Sequence, residues 1–188
     1  MKKKKRKDYN GRFLVRKWQY YLFYTLTWLL GALVLVSLFR KYGYTFIWVP
    51  DGAYQHFSAF NYVCEMAESL LGGQFVFSDF GPFNYTIGQG GYLFTTLNSY
   101  DLTDPVSWLC AFVVPLERTV RYTLMIFVKL WLAGIAFSVY CFATDNEDRL
   151  AVMCGALSYA FSGAIVFMAP RHPNYINWAY FLPLLLAG

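Results

Sequence analysis

From Trp18 to Phe39 the chain runs without a charged side chain, and this stretch restricts the fold more than any other. It exceeds the roughly 20 apolar residues an α-helix needs to cross the hydrocarbon core of a bilayer. A cleavable signal peptide has a shorter apolar region and a small-residue cleavage site. Here the run is long and aromatic, and Arg40 and Lys41 follow it directly. Residues 18–39 are therefore expected to stay in place as a first transmembrane helix. Of the 188 residues 57% are hydrophobic, 21% aromatic and 14% charged, against roughly 25% charged in soluble domains. The class expected is an all-α membrane protein, a polytopic helical bundle with interfacial helices in a large first outer loop.

Charge then sets topology. Nine of the sixteen basic residues precede Trp18, so the positive-inside rule places residues 1–17 in the cytoplasm and the next loop outside. Beside a membrane span the MKKKKRK tract reads as an anchor for anionic lipid, not as a nucleic-acid patch. The outer loop, 40–121, holds seven of the eleven acidic residues: Asp51, Glu65, Glu68, Asp79, Asp101, Asp104 and Glu117.

Within that loop, VPDGAYQHF (Val49 to Phe57) opens an amphipathic stretch. Phe57, Phe60, Val63, Cys64, Ala67, Leu70 and Leu71 recur at helical spacing opposite Gln55, Ser58, Asn61, Glu65 and Ser69, predicting an interfacial helix over about 53–71. Gly72 and Gly73 stop it, and Asp51 stands where an N-cap carboxylate would. Asp51 thus has two readings, helix cap or catalytic carboxylate. Glu65 and Glu68 read as a solvated face, and Asp79 as a distant second acid. The glycines Gly88, Gly90 and Gly91 lack the flanking strand and helix of a phosphate loop. Asn84-Tyr85-Thr86 has the form of a glycosylation sequon.

Asp104-Pro105 predicts an N-cap and first helical residue, with a second interfacial or re-entrant helix over about 105–115, too short to span. Spans two and three follow at 122–143 and 150–169, around a short loop at 144–149. Lys129 lies inside span two, where an ammonium needs a partner such as an acidic residue on a helix beyond this chain. Gly155, Ala156, Ser158, Ala160, Ser162 and Gly163 in span three allow close helix approach. After an outer loop at 170–175, residues 176–188 are apolar but too few to cross, which predicts a fourth span cut part-way in a longer polytopic protein. Cys64, Cys110, Cys141 and Cys154 show no metal-ligand spacing, and pairing of Cys64 with Cys110 is left open. His56, five residues from Asp51, is badly placed on an α-helix to share a metal with it.

The order DGAYQHF, NYTIGQGG, YDLTDP, VKLWLAGIAFSVY, GALSYAFSGAIVF and RHPNYINWAYFLPLLLAG resembles the N-terminal part of the YfhO-type bacterial membrane proteins, from about Trp48 to the end. These in turn resemble the GT-C glycosyltransferases. The resemblance implies a GT-C-like bundle in the cytoplasmic membrane of a bacterium. It implies a polyprenyl-phosphate sugar donor and a cell-envelope polymer such as teichoic acid as acceptor. It also implies a catalytic acid in the first outer loop, the position of Asp51. Such chemistry needs a base, or a divalent cation such as Mg²⁺ or Mn²⁺, and cations against the leaving phosphate. Arg171 and His172 are the preferred phosphate contacts, with Lys129, Arg118 and Arg121 as further cations and Gln55 and Asp104 as further substrate-binding candidates. A transporter or flippase for an anionic lipid-linked substrate, or a membrane scaffold, are the competing classes.

Overall fold

The computed structural model describes residues 17–74, 81–85 and 90–188. The basic tract ahead of them, Asp79, Gly88 and the Thr86 of the sequon lie outside the described residues. Helix α1 (Lys17–Lys41) buries one stripe, Tyr20, Tyr24, Trp28 and Ala32, at four-residue spacing, and exposes Leu22, Leu26, Leu30 and Leu33. A leucine-covered outer face suits lipid. The helix ends because Gly43, at φ +73°, lets Tyr44 N–H reach back to Phe39 O at 2.8 Å and its own N–H reach Arg40 O at 3.1 Å. This is the glycine stop known as the Schellman motif.

The centre of the bundle is α5 (Arg118–Ala143), about 39 Å long at 1.5 Å per residue. It packs against α1, α4, α6 and α8. Gly134 sets the crossing with α1: a Cβ there would collide with the Tyr24 hydroxyl, which donates to Trp131 O at 3.1 Å. Nearby, Tyr20 Oη and Ser138 Oγ share a hydrogen bond of 2.7 Å. Three apolar segments, Trp18–Lys41, Arg118–Ala143 and Arg149–Met168, are long enough to cross a membrane. The protein is an all-α, multi-pass membrane protein.

The third segment is not one continuous helix. Asp148 caps α6 (Arg149–Ala160) by accepting from Leu150 and Ala151 N–H at 3.1 Å, and the chain breaks at Phe161 and Ser162 before α7 (Gly163–Met168). The Phe161 ring fills the space over Gly31 and stacks on Trp28. Beyond a single turn at Tyr175–Asn177, α8 (Trp178–Ala187) lies along α5.

The segment between α1 and α5 folds onto the same end of the bundle as the α7–α8 loop. A π-helical turn, Gly52–Phe57, leads into α2 (Ser58–Leu71), which ends at Gly72 and Gly73. Strands β1 (Phe83–Asn84) and β2 (Gly91–Tyr92) pair antiparallel, followed by α3 (Leu93–Leu97), a 3₁₀ turn at Asp101–Thr103 and α4 (Pro105–Ala111). Helix α4 stops four residues short of Pro115 and packs against α5. Asp104 at its start pairs with Lys129, and Ala111 O at its end accepts from Arg121. Those α5 residues are about 12 Å apart along the helix, so α4 runs alongside this part of α5.

Candidate functional site

Three polar groups share this end of the molecule. The outermost is built on a close backbone approach. Gly52 is buried with Pro170 O where its Cβ would be, at 2.6 Å, and Trp48 N–H donates to Pro170 O at 3.3 Å. Any larger residue would hold the 48–57 turn away from the α7–α8 loop. With glycine there, His56 Nε2 and His172 Nδ1 meet at 3.0 Å, and Asp51 Oδ2 lies 3.8 Å from His172 Nε2. One proton is shared between the two imidazoles, with tautomers set by which ring donates. Burial, then the repulsion of His172 and Lys129, pushes His56 down to about 4 against a weaker opposing pull from Asp51, so it is neutral at pH 7.

Asp51 does not act as a helix cap. Its backbone is already helical, at φ −66° and ψ −46°, and its carboxylate bonds no N–H at the helix start. Oδ1 instead accepts from Gln55 Nε2 at 3.3 Å, and Gln55 Oε1 accepts from Tyr100 Oη at 3.2 Å. The Asp51 side chain is 42% exposed, which keeps it open to a ligand. Arg171 is clamped between the rings of Trp48 and Phe167, at 3.6 and 3.5 Å, and donates to Phe167 O at 2.9 Å. That leaves most of its five N–H donors uncommitted to Phe167, on the residue next in sequence to His172.

The second group is buried. Lys129, 1% exposed, pairs with Asp104 at 2.6 Å and donates to Asn174 Oδ1 at 2.7 Å and Pro173 O at 3.1 Å. Its partner is thus an acid of this chain's own loop. Asp104 also caps α4, accepting from Val106 N–H at 3.2 Å. Ser107 and Asp101 complete the group. Sequence reasoning missed Asp101, Ser107 and Asn174, although two acids three residues apart in the apolar YDLTDPVSW were a usable signal.

The third group ties α2 to α5. Glu68 takes both Arg118, at 2.7 Å, and Arg121, while Glu65 pairs with Arg118 at 3.1 Å. Hydrogen bonds from Arg118, above all, hold the Glu68 carboxyl below the usual range. Glu65 and Glu68 are therefore anchors, not merely a solvated face, and Arg121, 3% exposed, is committed to Glu68 and Ala111 O, apart from Asp51. Cys64 and Cys110 are buried free thiols.

Among the described residues no three His, Cys, Asp or Glu groups gather as metal ligands. A single carboxylate such as Asp51 still fits the kind of Mg²⁺ site completed by substrate phosphates and water. A further cavity of about 810 Å³ lies between α1 and α5, lined by Trp28, Leu33, Phe39, Arg40, Phe46 and Thr123 among others.

Membrane-length helices around a polar site at one end define a multi-pass membrane protein. Residues 24–188 match the family model described as bacterial membrane protein YfhO, and the chain belongs to that family. Comparisons with curated proteins and with solved structures found no match.

Proposed function

We propose that the chain is part of a membrane glycosyltransferase that moves sugar from a polyprenyl-phosphate donor to a cell-envelope polymer such as teichoic acid. The observation that carries this reading is the grouping of an open carboxylate, Asp51, with the His172–His56 pair and the clamped Arg171 guanidinium. Asp51 is the base that takes the proton of the acceptor hydroxyl. His172, within ion-pair reach, holds that carboxylate in place and can relay the proton. Arg171 faces the charge that builds on the departing phosphate. In the other role open to a carboxylate, Asp51 would instead hold a divalent cation, which when bound would supply Lewis-acid help to that leaving group.

Two further observations support the reading. Nine basic residues ahead of Trp18 favour a cytoplasmic N-terminus in a bacterial cytoplasmic membrane, with Asp51 then on the outer face. The apolar cavity beside α1 has the volume and lining to take part of an isoprenoid chain, with Arg40 at its margin. A carrier for an anionic lipid-linked substrate would use the same cavity. Cells in which Asp51→Asn replaces the native residue separate the two. Loss of sugar from the envelope polymer at normal protein abundance supports transfer; unchanged decoration removes Asp51 from the chemistry.

A further inference from the structure

The buried group around Lys129 contains one hydrogen too few for the charges drawn on it. Ser107 Oγ lies 2.6 Å from Asp101 Oδ1, 2.6 Å from Asp104 Oδ2 and 2.9 Å from Met125 Sδ. A serine hydroxyl has a single proton to give, and an ionised carboxylate has none. Two carboxylates cannot both rest at hydrogen-bond distance from that oxygen unless one of them is itself a donor. Lys129 does not resolve the shortage, because its three N–H groups are taken by Asp104, Asn174 Oδ1 and Pro173 O. Asp104 is the ionised partner: it accepts from Lys129, Val106 N–H and Ser107, with Tyr180 Oη at 3.5 Å.

Asp101 is in the opposite position. It has no exposure, and its Oδ2 makes no close hydrogen bond among the described residues; the amide of Asn174, whose Nδ2 is likewise without a close partner, is the one neutral donor acting on it besides Ser107. A buried carbonyl oxygen so weakly bonded is tolerated far better than a buried anionic oxygen in the same place. The charge count agrees, since one lysine balances one carboxylate. We infer that Asp101 is a buried proton-binding site, a neutral carboxylic acid donating to Ser107 Oγ while Ser107 donates to the charged Asp104–Lys129 pair.

The ionisable groups facing Asp101 are Asp104 from its own segment, Lys129 and Tyr122 from α5, and Cys64 from α2. Burial raises the Asp101 carboxyl to about 6, opposed by Lys129 and Ser107, reinforced by Asp104, and opposed again by Asn174. The site therefore exchanges its proton close to neutral pH. It is joined to the outer site through Lys129, whose acceptors Pro173 and Asn174 directly follow His172. The inference does not depend on sugar transfer.

The test is infrared spectroscopy of the intact protein in lipid nanodiscs with ¹³C-labelled aspartate, titrated from about pH 5, where ordinary aspartates are ionised, to about pH 8. A label-sensitive band of a protonated carboxyl should be present at the acid end, vanish with a midpoint near 6 and be missing from Asp101→Asn. Asparagine mimics the neutral acid, so this variant should also keep wild-type thermal stability at about pH 5. Absence of the band, an identical band in Asp101→Asn, or collapse of that variant would each overturn the assignment.

Discussion

Asp104 Oδ2 and Lys129 Nζ lie 2.6 Å apart with side chains 2% and 0% exposed, joining the cap of α4 to the middle of a membrane-length helix. Taking two charges out of water is costly, and removing one partner leaves the other buried without compensation. Lys129→Met or Asp104→Leu alone is expected to cost about 3–5 kcal/mol. The double variant should recover much of that loss, because no isolated charge remains. Thermal unfolding of the four proteins in the same detergent measures the coupling.

Gly52→Ala is expected to damage the site more than the bundle. Its Cβ would meet Pro170 O at 2.6 Å, so the turn must withdraw and the 3.0 Å contact between His56 and His172 is lost. Under the transferase reading, activity falls sharply while the unfolding temperature drops by only a few degrees, as expected for about 1–3 kcal/mol of overpacking. Side-by-side activity and melting measurements check this.

Gly134→Ala has the reverse balance. The added methyl collides with Tyr24, which is fully buried, and pushes α1 from α5. A loss of about 1–3 kcal/mol is expected, and Tyr24→Phe in the same chain should return part of it by removing the hydroxyl that clashes.

The pH dependence of stability has two opposing parts. His56 has a folded-state value of about 4, below its ordinary 6.5, so its contribution is full above pH 6.5 and fades as pH falls toward 4. Asp101 has a folded-state value of about 6, above its ordinary 3.8, so its contribution is full below pH 3.8 and is lost as pH rises through 6. Melting temperatures of His56→Gln should therefore depend less on acidification, and those of Asp101→Asn less on alkalinisation, than those of the wild type.

The membrane class was legible because a run such as Trp18–Phe39, free of charge, has few other places to go. What stayed hidden depended on contacts between distant segments. Lys129 announced that it needed a partner, but nothing local told that the partner was Asp104 rather than an acid on another helix. Asp51 looked like a cap because it precedes the amphipathic stretch; the helical conformation begins at Asp51 itself, which turns its carboxylate toward Gln55 and His172. His56 was set aside on α-helical geometry, in which a residue five along sits about 140° away. In the π-helical turn, with its wider i→i+5 bonds, each residue rotates less about the axis, so Asp51 and His56 come closer to one side, both beside His172. The break at Phe161 and Ser162 was masked because the apolar composition continues through it.

The claim that Asp51 is the base of a sugar transfer meets its most direct test in a transfer assay. Membranes holding equal amounts of intact wild-type protein or Asp51→Asn would be given labelled polyprenyl-phosphate sugar and the envelope polymer, and the rate of label transfer measured. Removal of a general base predicts a fall of about 10²–10⁴-fold for Asp51→Asn. A rate equal to that of the wild type, or no transfer by the wild type above membranes lacking the protein, would contradict it.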